Sequence, residues 1–220
     1  RYDPTKDVGG KIAGIVGVAF ILFVIFVYLP YADKQENLNK VKQSYQHSSF
    51  LRDSLNHIPD FTCVDQNGKT FTKKDVAETV FVAEFFYTEC DAYCPVTSKH
   101  LAHVQQLLNK AINFKILSFS LNPEADSVPV LRKYADTYKA KDNMWHFLRG
   151  EQSDIFDLGE QGFFTVVKGA DGSFKGHSDK FTLVDKNGNI RGFYKGTDSI
   201  QMQALIQDIN YLVFNNEVNE

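Results

Sequence analysis

The stretch that sets the fold is TVFVAEFFYTECDAYCP, which occupies residues 79–95. Its first part is rich in β-branched and aromatic residues, which predicts a central strand over Thr79–Tyr87. Proline is typical of the first turn of a helix, so we expect the next helix to cover Pro95–Lys110. Cys90 and Cys94 therefore lie between a strand and a helix, at the edge where open α/β sheets bind ligands.

A hairpin precedes that stretch, and strands and helices alternate after it. The predicted strands are a hairpin of Phe61–Asp65 and Lys69–Phe71 around a type I′ turn at Asn67-Gly68, then Phe114–Ser120, Trp145–Leu148, and a second hairpin of Lys180–Asp185 and Ile190–Tyr194. The predicted helices are Asp126–Lys139, with Val130, Leu131 and Tyr134 at core spacing, Ser153–Gln161 and Ser199–Phe214. This order predicts an α/β domain with a mixed central sheet and flanking helices, similar to a thioredoxin-like domain.

Composition and charge exclude several classes of function. The 220 residues carry 24 Lys and Arg against 27 Asp and Glu, which gives a formal charge of -3. This balance shows no excess of basic residues, so the sequence does not indicate a nucleic-acid partner. With 43% hydrophobic residues the chain can bury a core, which excludes general disorder. Three cysteines are too few for a disulfide scaffold or for a four-sulfur zinc site.

The N-terminal region contains an uncharged segment at residues 12–32, which is apolar throughout from Ile12 to Leu29. At about 1.5 Å per residue, this run roughly matches the hydrocarbon core of about 30 Å. We predict a single uncleaved transmembrane helix here, preceded by a short tail at residues 1–11. The alternatives are a buried soluble helix and a cleavable signal peptide, for which the run is long and lacks a clear cleavage site.

Basic residues occur on both sides of this run, so the charge bias gives little orientation signal. The short tail and large C-terminal domain favour a single-pass protein of the inner (cytoplasmic) membrane, with its domain on the periplasmic or intermembrane side. Because the chain begins with Arg1, we expect a few residues to precede it. Residues 33–57 are polar and predict a solvated tether, with a partly helical segment as the alternative, and the globular domain is predicted over 58–220.

The position of the two cysteines indicates thiolate chemistry. Cys94 should lie at the helix N-terminus, where unpaired N–H groups and the helix dipole favour a thiolate. Cys90 in the preceding loop is close enough to pair with Cys94 or to share a soft metal such as Cu(I) with it. The alternative is a structural disulfide or two unrelated thiols, although exposed loop cysteines at a strand end are poor candidates for inert core residues.

The remaining cysteine and most histidines have simpler interpretations. Cys63 alternates with Phe61 in a hairpin strand and is interpreted as a small buried hydrophobic residue. The residues interpreted as structural or surface positions are His100 and His103 on the helix after the motif, His146 in a strand, His47 and His57 in the tether, and the core aromatic residues Phe85, Phe86 and Tyr87.

The segment FFYTECDAYCPVTSKHL (85–101) resembles the cysteine motif of the Sco/SenC family, the membrane-anchored copper proteins that assist cytochrome c oxidase assembly. SLNPEADSVPVLRKYADTY (120–138), WHFLRG (145–150) and GHSDKFTLVDKNGNIRGFYKGTD (176–198) are similar to later segments of the family, in the same order. The resemblance extends from about Ile58 to the last helix. One departure is Asn122, where the family often has an acidic residue beside proline. Glu124 and Asp126 are the nearby carboxylates that could replace it.

The resemblance implies a copper site formed by Cys90, Cys94 and His177. Two thiolates and an imidazole suit Cu(I), and can hold Cu(II) with an added ligand. The implied function is a copper chaperone that binds one copper and delivers it to the binuclear site of the copper-bearing subunit of cytochrome c oxidase. Another copper carrier would be the donor. A site with an open position can pass its metal on, unlike a closed tetrahedral zinc site.

Two other functions fit the same features. A thiol–disulfide reductase would use Cys90 and Cys94 as catalytic residues to reduce the target cysteines through a mixed disulfide. A non-catalytic subunit of a respiratory complex would need only the anchor and the domain. The C-x3-C spacing, the lack of a proline after Pro129 to supply the usual cis-proline, and the presence of His177 favour metal binding over an enzyme.

Overall fold

The computed structural model of the chain describes residues 20–32, 55–108, 113–168 and 174–214. The chain divides into two compact units, residues 1–43 and 44–220, which are described separately. In the first unit, residues 20–32 form a helix with a π-helical stretch at Val24–Tyr28. Its large apolar side chains are exposed, as Phe20 at 66% and Phe26 at 72% illustrate.

No helix within the described residues combines the length and hydrophobicity needed to cross a membrane. Residues 12–19 of the predicted transmembrane segment, the predicted tail at 1–11 and residues 33–54 of the predicted tether lie outside the described residues.

The described part of the second unit contains strands and helices, which alternate in its middle part, while strands follow one another at its start and before its last helix. The strands are β1 (Leu55–His57), β2 (Thr62–Val64), β3 (Thr70–Thr72), β4 (Val80–Phe86), β5 (Phe114–Ser120), β6 (Trp145–Leu148), β7 (Val166–Lys168), β8 (Phe174–His177), β9 (Lys180–Val184) and β10 (Asn189–Lys195). The helices are α1 (Cys94–Leu107), α2 (Val128–Thr137), α3 (Gln152–Asp157) and α4 (Ser199–Phe214), with a 3-10 turn at Lys73–Val76 and a π turn at Leu158–Gly162.

Six of these strands form a mixed central sheet in the order β1-β10-β9-β4-β5-β6. Strands β4, β5 and β6 are parallel, whereas β9 runs antiparallel to both β4 and β10. The pairs β2-β3 and β7-β8 form separate two-stranded sheets. The predicted mixed α/β architecture is therefore confirmed.

The central strand β4 is buried along its whole length, and its side chains alternate between two cores. Val80, Val82 and Phe86 pack with residues of α1, α2 and α4 on one face. Phe81, Ala83 and Phe85 pack with the β2-β3 hairpin and α3 on the other. Elements cover both faces, which is why this strand is a continuous apolar run with a single carboxyl side chain.

The turn at Asn67-Gly68 differs from the prediction. A type I′ turn needs positive φ at both central residues, but only Gly68 has one, at 74°. The Asp65 carboxylate accepts the backbone N–H groups of Asn67 at 2.8 Å and Lys69 at 2.9 Å, and so closes the turn itself. Asp185 closes the β9-β10 turn in the same way, accepting from Asn187 and Asn189.

Three further predictions need correction. Val130 is 38% exposed, because α2 presents Leu131 and Ala135 to the core instead. The last three residues of the predicted tether form β1, which pairs antiparallel with β10. The predicted helix over Ser153–Gln161 changes to a π turn after Asp157.

Strands β7 and β8 were not predicted, and they position His177. A Cβ atom on Gly159 of the π turn would lie 2.3 Å from Val166 Cγ2, so only glycine permits this close approach of β7. Val166 pairs in turn with His177 at the end of β8. The glycine contact therefore helps to place the histidine beside the carboxyl end of β4.

Candidate functional site

The loop between β4 and α1 carries both cysteines of the motif. The Cys90 N–H donates to the Tyr87 carbonyl at 3.2 Å, and Cys94 is the first residue of α1. Pro95 occupies the first turn, as predicted, and the Tyr93 carbonyl accepts the N–H of Thr97 at 3.0 Å. Both thiols are free and buried, with Cys90 7% and Cys94 1% exposed, so the expectation of exposed loop cysteines was wrong.

The thiolate of the pair is favoured at Cys90 rather than at Cys94. Burial alone would raise the pKa of Cys90, but hydrogen bonds from the Cys94 thiol and from the backbone N–H groups of Ala92, Tyr93 and Cys94 outweigh burial and lower it. Burial raises the pKa of Cys94, and its hydrogen bond to Cys90 and the charge of Glu84 raise it further. The expectation of a Cys94 thiolate was therefore wrong, because the N–H groups around the helix start are directed at Cys90.

His177 lies against two tyrosines of the cysteine loop, Tyr87 and Tyr93. Its ring centroid is 5.2 Å from that of Tyr93 and 5.8 Å from that of Tyr87, and the Tyr93 hydroxyl donates to the His177 carbonyl at 2.8 Å. Burial lowers the pKa of His177, although backbone groups of Ser178 and Phe85 favour its protonated form. A neutral imidazole is the form that donates to a metal.

The structure thus brings Cys90 and Cys94 into hydrogen-bond contact. It packs the ring of His177 against Tyr87 and Tyr93 of the same loop. Among the described residues, no three His, Cys, Asp or Glu side chains are close enough together to hold a metal ion. Binding one ion through all three predicted ligands would therefore require a shift of His177 relative to the cysteine loop.

Sequence reasoning missed Tyr93 and placed Tyr87 in the core, although both line this site. Tyr87 is half-buried, and its hydroxyl is hydrogen-bonded to Cys90. Burial raises the pKa of both phenols, and the neighbouring thiols raise it further. Tyr93 lies inside the C-x3-C motif itself, so its position in the sequence was a usable signal.

The other predicted positions lie away from this site. Cys63 is 3% exposed, and burial raises its pKa to about 12, in keeping with its interpretation as a small buried residue. His146 is buried with its ring 4.4 Å from that of Phe71, and burial lowers its pKa to about 4. The half-buried His100 contacts the Gly196 carbonyl, and His103 is exposed. His57 belongs to β1, and His47 lies outside the described residues.

A buried carboxyl group that sequence reasoning did not single out lies in β4, on the face that packs against α1. Glu84 is 3% exposed and accepts a hydrogen bond from the Ser118 hydroxyl at 2.7 Å and another from Thr97, one turn after Cys94. The Trp145 indole donates in turn to Ser118 at 2.9 Å. Burial raises the pKa of Glu84 to about 7 despite these hydrogen bonds.

Comparison with known proteins agrees with this fold. The SCO1/SenC family model matches residues 51–213, so the chain belongs to the SCO1/SenC family. A SCO1 protein homolog of Bacillus subtilis is 31% identical over 163 residues, covering 72% of this chain and 84% of that protein. The expected family resemblance is confirmed.

Two solved structures share the fold. The first is BsSco, described as a member of the Sco family of cytochrome c oxidase assembly proteins with a disulfide switch. It has a TM-score of 0.64 and 30% identity, over 73% of this chain and 96% of that one. The second is Bradyrhizobium japonicum ScoI with copper bound, at a TM-score of 0.58 and 21% identity, over 71% and 99%. At that lower identity the second match shows a common fold only.

The opposite pKa shifts of the two site cysteines predict their order of alkylation. In reduced protein at pH 7, iodoacetamide should modify Cys90 well before Cys94 or Cys63, because only the Cys90 thiolate is stabilised. Peptide mapping by mass spectrometry at successive times measures the order, with Cys63 as an internal control for a buried thiol. Faster modification of Cys94 than of Cys90 would contradict the assignment.

The buried Glu84 predicts a pH-dependent stability. Because its pKa is higher in the folded state than the ordinary 4.5, the folded protein retains this proton longer than the unfolded chain does. Stability should therefore fall as the pH rises from about 5 through about 7. Glu84→Gln, which keeps a hydrogen-bond acceptor, should remove this loss and be more stable at pH 8 by about 3 kcal/mol.

Chemical unfolding of wild type and Glu84→Gln at pH 5 and pH 8 tests this, with Glu89→Gln at an exposed position as the control. An equal difference between wild type and Glu84→Gln at both pH values would show that Glu84 does not titrate in this range.

Proposed function

We propose that this protein is a copper chaperone that binds one copper through Cys90, Cys94 and His177 and delivers it to the binuclear copper site of cytochrome c oxidase. The observation that carries the proposal is the hydrogen-bonded pair of free cysteines at the carboxyl end of β4, beside His177. Thiolate and imidazole are donors that suit copper, and Cu(I) can be held by as few as two or three of them. Family membership and the copper-bound ScoI of the same fold support it.

The arrangement suits a metal that is carried rather than kept. Cys90 offers a stabilised thiolate for first contact with an incoming ion, while Cys94 gives up its proton when the metal binds. His177 would complete the set by moving towards the thiols, and its withdrawal would open a coordination position for an acceptor. Ligand exchange with the copper-bearing subunit of the oxidase could then proceed without free copper.

The N-terminal segment supports a membrane location for this activity. We propose that residues 12–32 anchor the protein in the same membrane as the oxidase, with the domain on the periplasmic or intermembrane side. The described part of this segment is a helix whose apolar side chains are exposed, which bilayer contact would cover. Such an anchor would hold donor, chaperone and acceptor close together.

A second candidate function rests on the asymmetry of the thiols. Cys90 has the lowered pKa of an attacking nucleophile, and Cys94 is a buried partner in direct contact with it. In the reductase alternative, the Cys90 thiolate attacks a target disulfide, and Cys94 then resolves the mixed disulfide. The target is reduced by two electrons, and the protein is left with a Cys90–Cys94 disulfide that a dithiol reductant must reduce again.

Titration of the reduced protein with Cu(I) against a competing chelator tests the chaperone function. Wild type should bind about one copper per chain, and Cys90→Ala, Cys94→Ala and His177→Ala should each weaken binding by tenfold or more, since each removes a ligand. Cys63→Ala is the matched control and should bind as wild type, because it removes a buried thiol elsewhere. Undiminished binding by His177→Ala would show that the ligand set is wrong.

The same variants separate the two candidates. Turnover of a model disulfide by copper-free protein with an added dithiol, lost in Cys90→Ala but kept in His177→Ala, would favour the reductase. Copper binding with no such turnover would favour the chaperone.

The anchor is tested in the full chain. Ile21→Lys with Ile25→Lys should release the protein from a carbonate-washed membrane fraction, because each central lysine costs roughly 3 kcal/mol in the hydrocarbon core. The control, Gln35→Lys with Asn37→Lys, adds the same charges to the tether and should leave the protein membrane-bound. Retention of the first variant in the membrane would argue against this anchor.

A further inference from the structure

A buried carboxylate outside the predicted ligand set is bonded to the cysteine loop. Asp126 is fully buried, with 0% exposure, and lies between the end of β5 and the start of α2. Its Oδ1 accepts the Thr88 hydroxyl at 2.5 Å, and both of its oxygens lie 3.3 Å from the Thr88 backbone nitrogen. Its Oδ2 accepts the Ser120 hydroxyl at 2.5 Å.

Thr88 is the residue through which this carboxylate reaches the site. It lies between Tyr87, whose carbonyl accepts the Cys90 N–H, and Cys90 itself. Because Asp126 binds both the backbone N–H and the side chain of Thr88, it fixes the position of the chain two residues before the sulfur. The Cys90 sulfur then lies where the N–H groups of the following residues can donate to it.

Two other buried aspartates of the domain, both in hairpin turns, do something different. Asp65 and Asp185 accept N–H groups two and four residues ahead and so close their own turns. Asp126 instead connects segments that are 38 residues apart in sequence. Its neighbour Glu124 is exposed, so of these two carboxylates only Asp126 can support the loop. A buried carboxylate is costly to desolvate, and at this position the hydrogen bonds that offset the cost come from the cysteine loop and from β5.

We propose that Asp126 is a positioning residue for copper binding, which acts through Thr88 to hold Cys90 in the geometry that receives the metal. The proposal rests on the proposed function, because it concerns the same cysteines. Asp126 itself does not contact the metal in this proposal. Its role is that of an outer group that orients a ligand, the kind of group whose loss commonly weakens metal binding by about 10- to 100-fold.

Thr88 and Ser120 donate to different oxygens of Asp126, so substitutions of these two residues form a matched pair of variants. Thr88→Val removes the hydroxyl bonded to Oδ1 and disturbs the cysteine loop, whereas Ser120→Ala removes the hydroxyl bonded to Oδ2 at the end of β5. Each loses one hydroxyl hydrogen bond to the same carboxylate, and Ser120→Ala also loses the bond from the Asn122 N–H, so a purely structural effect should be at least as large in Ser120→Ala. We expect Thr88→Val to weaken Cu(I) binding by about tenfold and Ser120→Ala by less than about twofold.

Asp126→Ala should weaken Cu(I) binding by at least about tenfold, and Thr88→Val with Asp126→Ala together should lose no more than Asp126→Ala alone. Asp126→Asn, which keeps an acceptor for Thr88, should lie between wild type and Asp126→Ala. Asp185→Asn alters a buried aspartate of the β9-β10 turn and should leave the affinity unchanged. Equal losses for Thr88→Val and Ser120→Ala, in proportion to their losses of stability, would overturn the proposal.

Hydrogen exchange of the copper-free full chain gives an independent measurement. In Thr88→Val and Asp126→Ala, amides in peptides covering residues 86–97 should exchange about tenfold faster, while those of β9 keep their wild-type rates. Unchanged exchange in that loop would overturn the proposal even if copper binding fell. Faster exchange in a protein whose wild type binds no copper would instead support the loop contact while refuting the proposed function. If Asp126→Ala fails to fold, Thr88→Val and Ser120→Ala decide the question.

Discussion

Strand β4 pairs with β5 along one edge and β9 along the other, and both of its faces are buried. A strand constrained on all four sides has little freedom of register, so the point where it ends is fixed to within a residue. The cysteine loop begins at that point. The direction of α1, the contacts of Cys94 with the core and the approach of α2 through Asp126 all follow from it.

This constraint makes the two cysteines chemically unequal. Cys94, as the first residue of α1, is drawn into the core that α1 shares with β4, where burial and Glu84 oppose its ionisation. Cys90 remains in the loop, where the chain turns around its sulfur and directs N–H groups at it. Both thiols are buried, but the N–H donors of this short loop surround Cys90 rather than Cys94. One thiol is therefore a ready nucleophile or ligand, and the other ionises only when a metal or a disulfide replaces its proton.

Regular elements with strong apolar patterns were predictable, because burial on one or both faces leaves a clear periodicity. Strands β5 and β6 and helix α4 have the predicted bounds. Elements that depend on distant partners were not predictable in this way. Strand β1 forms because it pairs with β10, and β7 depends on the close packing of Gly159. Cys90, Cys94 and His177 could be proposed from motifs, but Glu84 and Asp126 could not be assigned roles. A carboxylate acquires such a role from what surrounds it after folding, and local sequence does not record that.

The histidine ends a strand of a different sheet from the one that leads into the cysteine loop. The cysteine loop continues directly from the six-stranded sheet, whereas His177 ends a hairpin that pairs only within itself among the described residues. The contacts that hold this hairpin include the packing of Val166 on Gly159, the hydrogen bond from the Tyr93 hydroxyl to the His177 carbonyl and that from the Ser178 N–H to the Thr165 carbonyl. In the proposed function, this division has a consequence for metal transfer. A ligand on a separate hairpin can approach or leave the metal without disturbing the sheet that holds the thiols. Release to an acceptor could then begin with the histidine, because both cysteines are packed in the core that α1 shares with β4.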